Sequence, residues 1–305
     1  MKWIKKGLII KPAGLDWMVT HAQNPFPEHI GMDFYKIHFA GRDRLNRAQG
    51  GYVVININEP DKILDISREP TLGLGELGCF DDSGAMPSCI INYNDKQYMY
   101  YTGWTQGVSV PYYFYIGLAV SDDRGVTFKR ISKAPVLGRG VHDPYLTCSP
   151  FILVEHGIWR MWYVSSIKRT IEDGKPKPYY HIKYAESLDG VEWIRRGIVC
   201  IDFKDDKEYA ISRNCVIKED RIYKMWYSCC ADKGYWIGYA ESGDGIKWQR
   251  KDDEVGIDVS EEGWDSEMIA YPWVFDHGGE RYMLYNGNGF GRDGAGLAVL
   301  DYKEN

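Results

Sequence analysis

The chain has 305 residues, 44% hydrophobic and 14% aromatic, with a formal charge of −6. Its charges are spread without a basic run, which excludes nucleic-acid binding through phosphate neutralisation. No apolar stretch is long enough to span a bilayer, and the run in residues 1–10 is too short for a signal peptide, so a cytoplasmic location is expected. Seven cysteines, an odd number without a CxxC pair, read as small reduced core residues, with no disulfide framework, metal site or cofactor expected.

In chain order, the first extended run is Trp3-Ile-Lys-Lys-Gly7-Leu-Ile-Ile10, whose pattern of size and charge returns at Trp193-Ile-Arg-Arg-Gly197-Ile-Val-Cys200. A divergent unit over residues 15–75 comes next, with strands predicted at 34–39 and 52–57. Clearer units follow over 80–138, 143–200 and 208–258, and a last one over 265–305. Their shared mark is a Met-led aromatic strand: Met99-Tyr-Tyr101, Met161-Trp-Tyr163, Met225-Trp-Tyr227 and Met283-Leu-Tyr285, spaced by roughly sixty residues. A second strand recurs at Ile116-Gly-Leu-Ala-Val-Ser121, Ile182-Lys-Tyr-Ala-Glu-Ser187 and Ile237-Gly-Tyr-Ala-Glu-Ser242. Each leads into a turn of Asp and Gly and then a large aromatic.

Turn residues that favour positive φ, set between β-branched and aromatic runs, make the hairpin pattern. With the apolar segment just upstream, such as Asn214-Cys-Val-Ile217, each unit supplies four antiparallel strands, the makings of a propeller blade. The last unit stops one strand short, and the N-terminal run is expected to supply the missing strand and remove the open edge. The expectation is therefore one all-β domain over residues 1–305, a five-bladed β-propeller with four antiparallel strands per blade. The insertions at 42–51 and 168–179 are expected to form loops at its mouth.

The five-fold count, the Pro-led inner strands (Asn24-Pro25, Met86-Pro87, Ser149-Pro150, Tyr271-Pro272) and the aromatic second strands resemble glycoside hydrolase families 43, 32, 68 and 130 over essentially the whole chain. Ser121-Asp-Asp123-Arg-Gly125-Val-Thr-Phe128 is similar to the Asp-box of sialidase-type propellers, with shortened versions at Ser187 and Ser242, and in those families the box is a structural turn. The resemblance implies a carbohydrate ligand or sugar precursor at the ring centre, with one protonated and one ionised carboxyl group across the sugar. The chain departs from the family-43 pattern at Asn24, where that family has Asp, and at Ala85, Cys148 and Ala270, which occupy the place of its general acid.

Carboxylates lie slightly further upstream. Asp82, Asp143 and Glu267 each precede an inner strand and are the candidate catalytic residues, with Glu267 as general acid and the two aspartates as base or nucleophile and orienting group. Asp81, His142, Arg213, His21 and Arg44 are candidate substrate-binding residues, with Arg42 and Asp43 beside them. Asp82 and Asp143 equally fit a role as turn caps. Two readings stand: a glycosidase-like or related sugar-processing enzyme that works through mouth carboxylates, and a non-catalytic propeller that binds sugar or a protein.

Overall fold

A computed structural model describes residues 1–232 and 234–302. The β-branched and aromatic runs form twenty strands among the described residues. The first, β1 (Trp3–Ile10), has no partner close in sequence. Then comes an antiparallel set paired in chain order: β2 (Thr20–Gly31), β3 (Phe34–Arg42), β4 (Ala48–Asn56) and β5 (Glu59–Ile66). The same order holds for β6 (Gly84–Tyr93), β7 (Lys96–Gln106), β8 (Tyr112–Ser121) and β9 (Lys129–Arg130). It returns in β10 (Thr147–Glu155), β11 (Ile158–Glu172), β12 (Lys175–Ser187) and β13 (Ile194–Ile201). A further set comprises β14 (Ala210–Glu219), β15 (Ile222–Ala231), β16 (Gly234–Ser242) and β17 (Gln249–Arg250). The last set holds β18 (Ala270–His277), β19 (Glu280–Asn286) and β20 (Ala295–Leu300), and β1 joins it by pairing antiparallel with β20 from Trp3↔Leu300 to Ile10↔Ala295.

The insertions expected to be open loops are largely hairpin extensions. β3 and β4 remain in register out to Arg42↔Ala48, and β11 and β12 stay paired, past a bulge between Ser166 and Lys168, out to Glu172↔Lys175. Among the described residues no helix is long and apolar enough to cross a membrane. All seven cysteines are free thiols and six of them are buried.

The Met-led strands sit at the centre of the packing, with Met99, Met161, Met225 and Met283 wholly inaccessible to solvent. The Asp-Gly turns lock onto the set before them. In one, the Ser187 hydroxyl accepts the N–H groups of Asp189 and Gly190, and the Asp189 carboxylate accepts those of Val191 and Glu192. The Gly190 carbonyl then accepts the Tyr100 hydroxyl at 2.5 Å, and the Gly245 carbonyl of the next turn accepts the Trp162 indole N–H at 2.8 Å. Gly245 has φ 74°, and a Cβ there would come within 3.0 Å of the Arg160 guanidinium, which is why glycine holds the turn.

β1 is tied in by more than its ladder. Trp3 is buried, donates its indole N–H to the Val255 carbonyl at 2.9 Å and meets Trp226 edge to face at 6.4 Å. Removing that side chain leaves a cavity between the two chain ends. Trp3→Ala is expected to lower stability by about 3–5 kcal/mol, read as a shift of the urea midpoint at constant m-value. An unmoved midpoint would show that β1 contributes nothing to closure.

Candidate functional site

The first strand of each set, β2, β6, β10, β14 or β18, carries a bulge in which two residues oppose one on the neighbouring strand. The bulged pairs are Asn24-Pro25, Pro87-Ser88, Ser149-Pro150, Arg213-Asn214 and Tyr271-Pro272. In four of them the first residue has a left-handed backbone, with φ of 55° at Asn24, 48° at Ser149, 45° at Arg213 and 58° at Tyr271. In β6 the proline itself takes the first place, so Met86-Pro87 is one residue out of step with the other Pro-led strands. Three of the bulged N–H groups donate to a side chain of the preceding set: Asn24 to Asn286 Oδ1 at 2.9 Å, Ser149 to Thr102 Oγ1 at 2.9 Å and Tyr271 to Ser228 Oγ at 2.8 Å.

The bulges aim side chains at one pocket of about 190 Å³, to which all five of these strands contribute through Asn24, Met86, Ser149, Ser212 and Tyr271. Aromatic rings make its walls. Tyr112 and Phe114 of β8 are stacked with centroids 4.4 Å apart. Tyr180 and Tyr235 bring their hydroxyls to 2.5 Å, and burial pushes both phenols well above the usual tyrosine range. Phe290, on the short turn α1 (Asn288–Gly291), lies nearly parallel to Tyr271 and is 37% exposed at the rim. Cys148 also lines the pocket, but burial pushes its thiol up to about 12, which keeps it protonated and unreactive. A larger groove of about 930 Å³ is lined by residues such as Lys6, Asp61 and Glu280; it draws on the first and last sets only, whereas all five sets contribute to the central pocket, which is the better candidate.

The pocket is cationic. Arg42 lines it, donating Nε to Gln23 Oε1 at 2.8 Å and Nη1 to Asn46 Oδ1 at 2.9 Å, with its guanidinium over the Trp104 ring. Below, Arg213 is 1% exposed, stands over the rings of Phe26 and Trp273 and donates Nη2 to the Asn24 carbonyl at 3.2 Å, while its Nε has no acceptor among the described residues. Burial pulls the Arg213 pKa down to about 10, which still leaves the group charged at neutral pH. Neither arginine has a carboxylate partner among the described residues, and no described Asp or Glu lines the pocket. His21 lies within electrostatic reach of Arg42. Its burial, followed by the Arg42 charge, lowers its pKa to about 4.

The aspartates expected at the mouth are engaged elsewhere. Asp81 is buried, accepts the Tyr101 hydroxyl at 2.9 Å and pairs with Arg130 at 2.6 Å. Asp143 is wholly buried, accepts the Tyr163 hydroxyl at 3.1 Å and pairs with Arg195 at 3.0 Å and Lys183 at 3.5 Å. The motif recurs as Tyr285–Asp265–Lys5 and, with the acid drawn from beyond the outer strand, as Tyr227–Asp252–Arg250. Asp82 accepts from Thr105, the Gly78 N–H and Ser83, and although burial pushes it up, these bonds hold its carboxyl below the usual range. Of Asp82, Asp143 and Glu267, the two aspartates are held by local networks, and none of the three lines the central cavity.

Glu267 is exposed, with its N–H donating to Asn288 Oδ1 at 2.8 Å on the same turn as Phe290. His142 is exposed too, and its carbonyl accepts the Lys183 ammonium. Arg44 projects into solvent, and Asp43 caps its loop by accepting the N–H groups of Leu45 and Arg47. Among the expected binding residues, Arg213 adjoins the pocket-lining Ser212 and donates to the Asn24 carbonyl, and His21 lies within electrostatic reach of Arg42, though neither lines the pocket. Apart from Tyr271, the aromatic wall carries no mark in the sequence that sets it off from the core, although the bulge position that Tyr271 occupies is held by Asn24, Ser149 and Arg213 in three other sets.

No family model matches the chain. Two Mycobacterium tuberculosis proteins, MT1551 of strain CDC 1551 / Oshkosh and Rv1502 of strain ATCC 25618 / H37Rv, are each 42% identical to it over 302 residues, covering 99% of this chain and 100% of theirs. The chain belongs to their family. In structure it is similar to BT0996 in an RGII complex, with a TM-score of 0.77 and 16% identity over 98% of this chain and 92% of that one. It is also similar to a thermostable family-43 glycoside hydrolase, at TM-score 0.68 and 19% identity over 93% and 91%, and to the Bombyx mori GH32 β-fructofuranosidase BmSUC1, at 0.64 and 16% over 92% and 61%. The chain thus has the propeller fold of family-43 and family-32 glycoside hydrolases.

Asp143→Asn leaves Lys183 and Arg195 against a neutral amide and is expected to cost about 3–5 kcal/mol in urea unfolding; a variant as stable as the parent would release Asp143 from this structural role. For His21, the folded state disfavours the proton that the unfolded chain accepts near the ordinary pKa of 6.5. Stability is then complete above that pH and falls as pH drops towards about 4. His21→Gln should flatten that part of the pH–Tm curve, and an identical curve would contradict the burial of a neutral imidazole.

Proposed function

We propose that the chain is a five-bladed propeller, four strands to a blade, that binds a carbohydrate in its central pocket. Its single domain spans residues 1–305, with blades near 15–75, 80–138, 143–200, 208–258 and 265–305 plus 1–10. Support for the blade count comes from the pairing pattern, in which a set of four antiparallel strands occurs five times once β1 is placed beside β20. A pocket walled by tyrosines and phenylalanine, with the polar groups of Gln23, Asn24, Ser149 and Ser212 around it, suits a polyol with apolar ring faces.

The observation that carries this reading over hydrolysis is that, among the described residues, the pocket wall holds no acid. Cleavage of a glycosidic bond by the usual route needs two carboxyl groups roughly 5–10 Å apart across the sugar. A second reading keeps glycosidase-like catalysis with Glu267 as the acid, because the turn that fixes its backbone also carries Phe290. Saturation-transfer NMR with a monosaccharide mixture is expected to give signals with the parent chain, reduced about tenfold in affinity for Phe290→Ala, a loss of about 1.4 kcal/mol. Equal binding by Phe290→Ala would move the site away from this pocket. Turnover of aryl glycosides that vanishes in Glu267→Gln would decide for the hydrolytic reading.

A further inference from the structure

Resting on that reading of the pocket, we infer that its ligand carries an anionic oxygen group, a carboxylate or a phosphate, which is bound by Arg42 and Ser212 above Arg213. A guanidinium taken out of water is costly unless an anion or several acceptors compensate it. Arg213 is 1% exposed and, among the described residues, has one acceptor on its side chain, the Asn24 carbonyl, which leaves its Nε unmatched. The adjoining residue, Ser212, lines the pocket at 6% exposure, and its hydroxyl has no hydrogen-bond partner among the described residues. Ser212 thus presents an unused hydroxyl at the cavity wall, and the next residue on β14 is a buried guanidinium with no acid beside it.

Arg42 adds a second charge at the wall. Its Nε and Nη1 are held by Gln23 and Asn46, which fix the plane of the guanidinium and leave Nη2 without an acceptor among the described residues. A planar fork held in this way suits the two oxygens of a carboxylate or phosphate. The surrounding charges agree: the groups that bear on Arg42 and Arg213 are tyrosine and cysteine side chains, with no carboxylate among them. Neutral His21 accommodates this field, since a second cation there would oppose Arg42. A bound anion would supply the missing counter-charge, and a neutral sugar would leave both arginines uncompensated.

The test is calorimetric titration of the full chain with matched sets: glucose, glucuronate and glucose 6-phosphate, and the galactose equivalents, with inorganic phosphate as a sugar-free probe. At least one acidic sugar is expected to bind about tenfold more tightly than its neutral parent, and added salt should shrink that advantage. Preference for the uronate identifies a carboxylate ligand, and preference for the sugar phosphate identifies a phosphate ligand. Arg42→Gln should abolish the advantage of the acidic sugar over its neutral parent, and Ser212→Ala, which deletes an unpartnered hydroxyl, should reduce it without lowering Tm. Equal affinity for neutral and acidic sugars overturns the inference and spares the sugar-binding reading. Binding of phosphate that depends on Arg42, with no sugar bound, upholds the anion site and overturns the sugar reading. Silence of every probe overturns both.

Discussion

A buried carboxylate gripped by a tyrosine hydroxyl and a cation decides where the pocket lies. Tyr101, Tyr163, Tyr227 and Tyr285 are the residues that oppose the bulges of their inner strands, and each hydroxyl is bonded to Asp81, Asp143, Asp252 or Asp265. The cation on the far side, Arg130, Arg195, Arg250 or Lys5, comes from the outer part of the same set. One network therefore spans a set from its inner to its outer strand and fixes the tyrosine against which two residues must bulge. A charge pair in this setting survives because each member is hydrogen-bonded as well as paired. The first set does without it: Phe39 faces the bulge, and Trp17 stacks on it at 5.8 Å.

This arrangement also explains the polarity of the centre. The chain carries a net −6, yet Asp81, Asp143 and Asp265, which precede inner strands, are held in these clamps, and the charges at or next to the pocket wall are Arg42 and Arg213. Low-dielectric walls of tyrosine and phenylalanine concentrate the field of those two groups in the cavity. The scaffold of a sugar hydrolase is thereby given an interior of the opposite sign to a two-carboxylate centre.

The repeat was readable because the same physical demand is met every time by the same residue types. Met-led aromatic strands fill the space between sheets, and Ser-x-Asp-Gly turns satisfy their own N–H groups, so both leave periodic marks in the chain. The likeness of residues 3–10 to 193–200 placed β1 for the same reason. The site was less legible. For Asp82 and Asp143 both a catalytic and a turn-capping role fit the sequence, which does not reveal that Thr105, Tyr163 or Arg195 bonds to them. Tyr112, Tyr180 and Tyr235 could not be told from core aromatics, since 23 tyrosines serve both purposes. Arg213 was picked out as a mouth residue, but its isolation from any acid emerges only when the five inner strands are brought together.

The pairing of β1 with β20 has a kinetic side. Each of the middle sets can form from hairpins whose strands follow one another closely, whereas Trp3 meets Leu300 across nearly the whole chain. Closing so long a loop is entropically late, and contacts of large sequence separation slow folding. β1 is made before every other described strand and waits longest for its partner, with Ile4, Leu8 and Ile10 on an unpaired edge until β20 is made. The segment that secures the finished ring is thus the one most open to wrong pairing while the ring is being built.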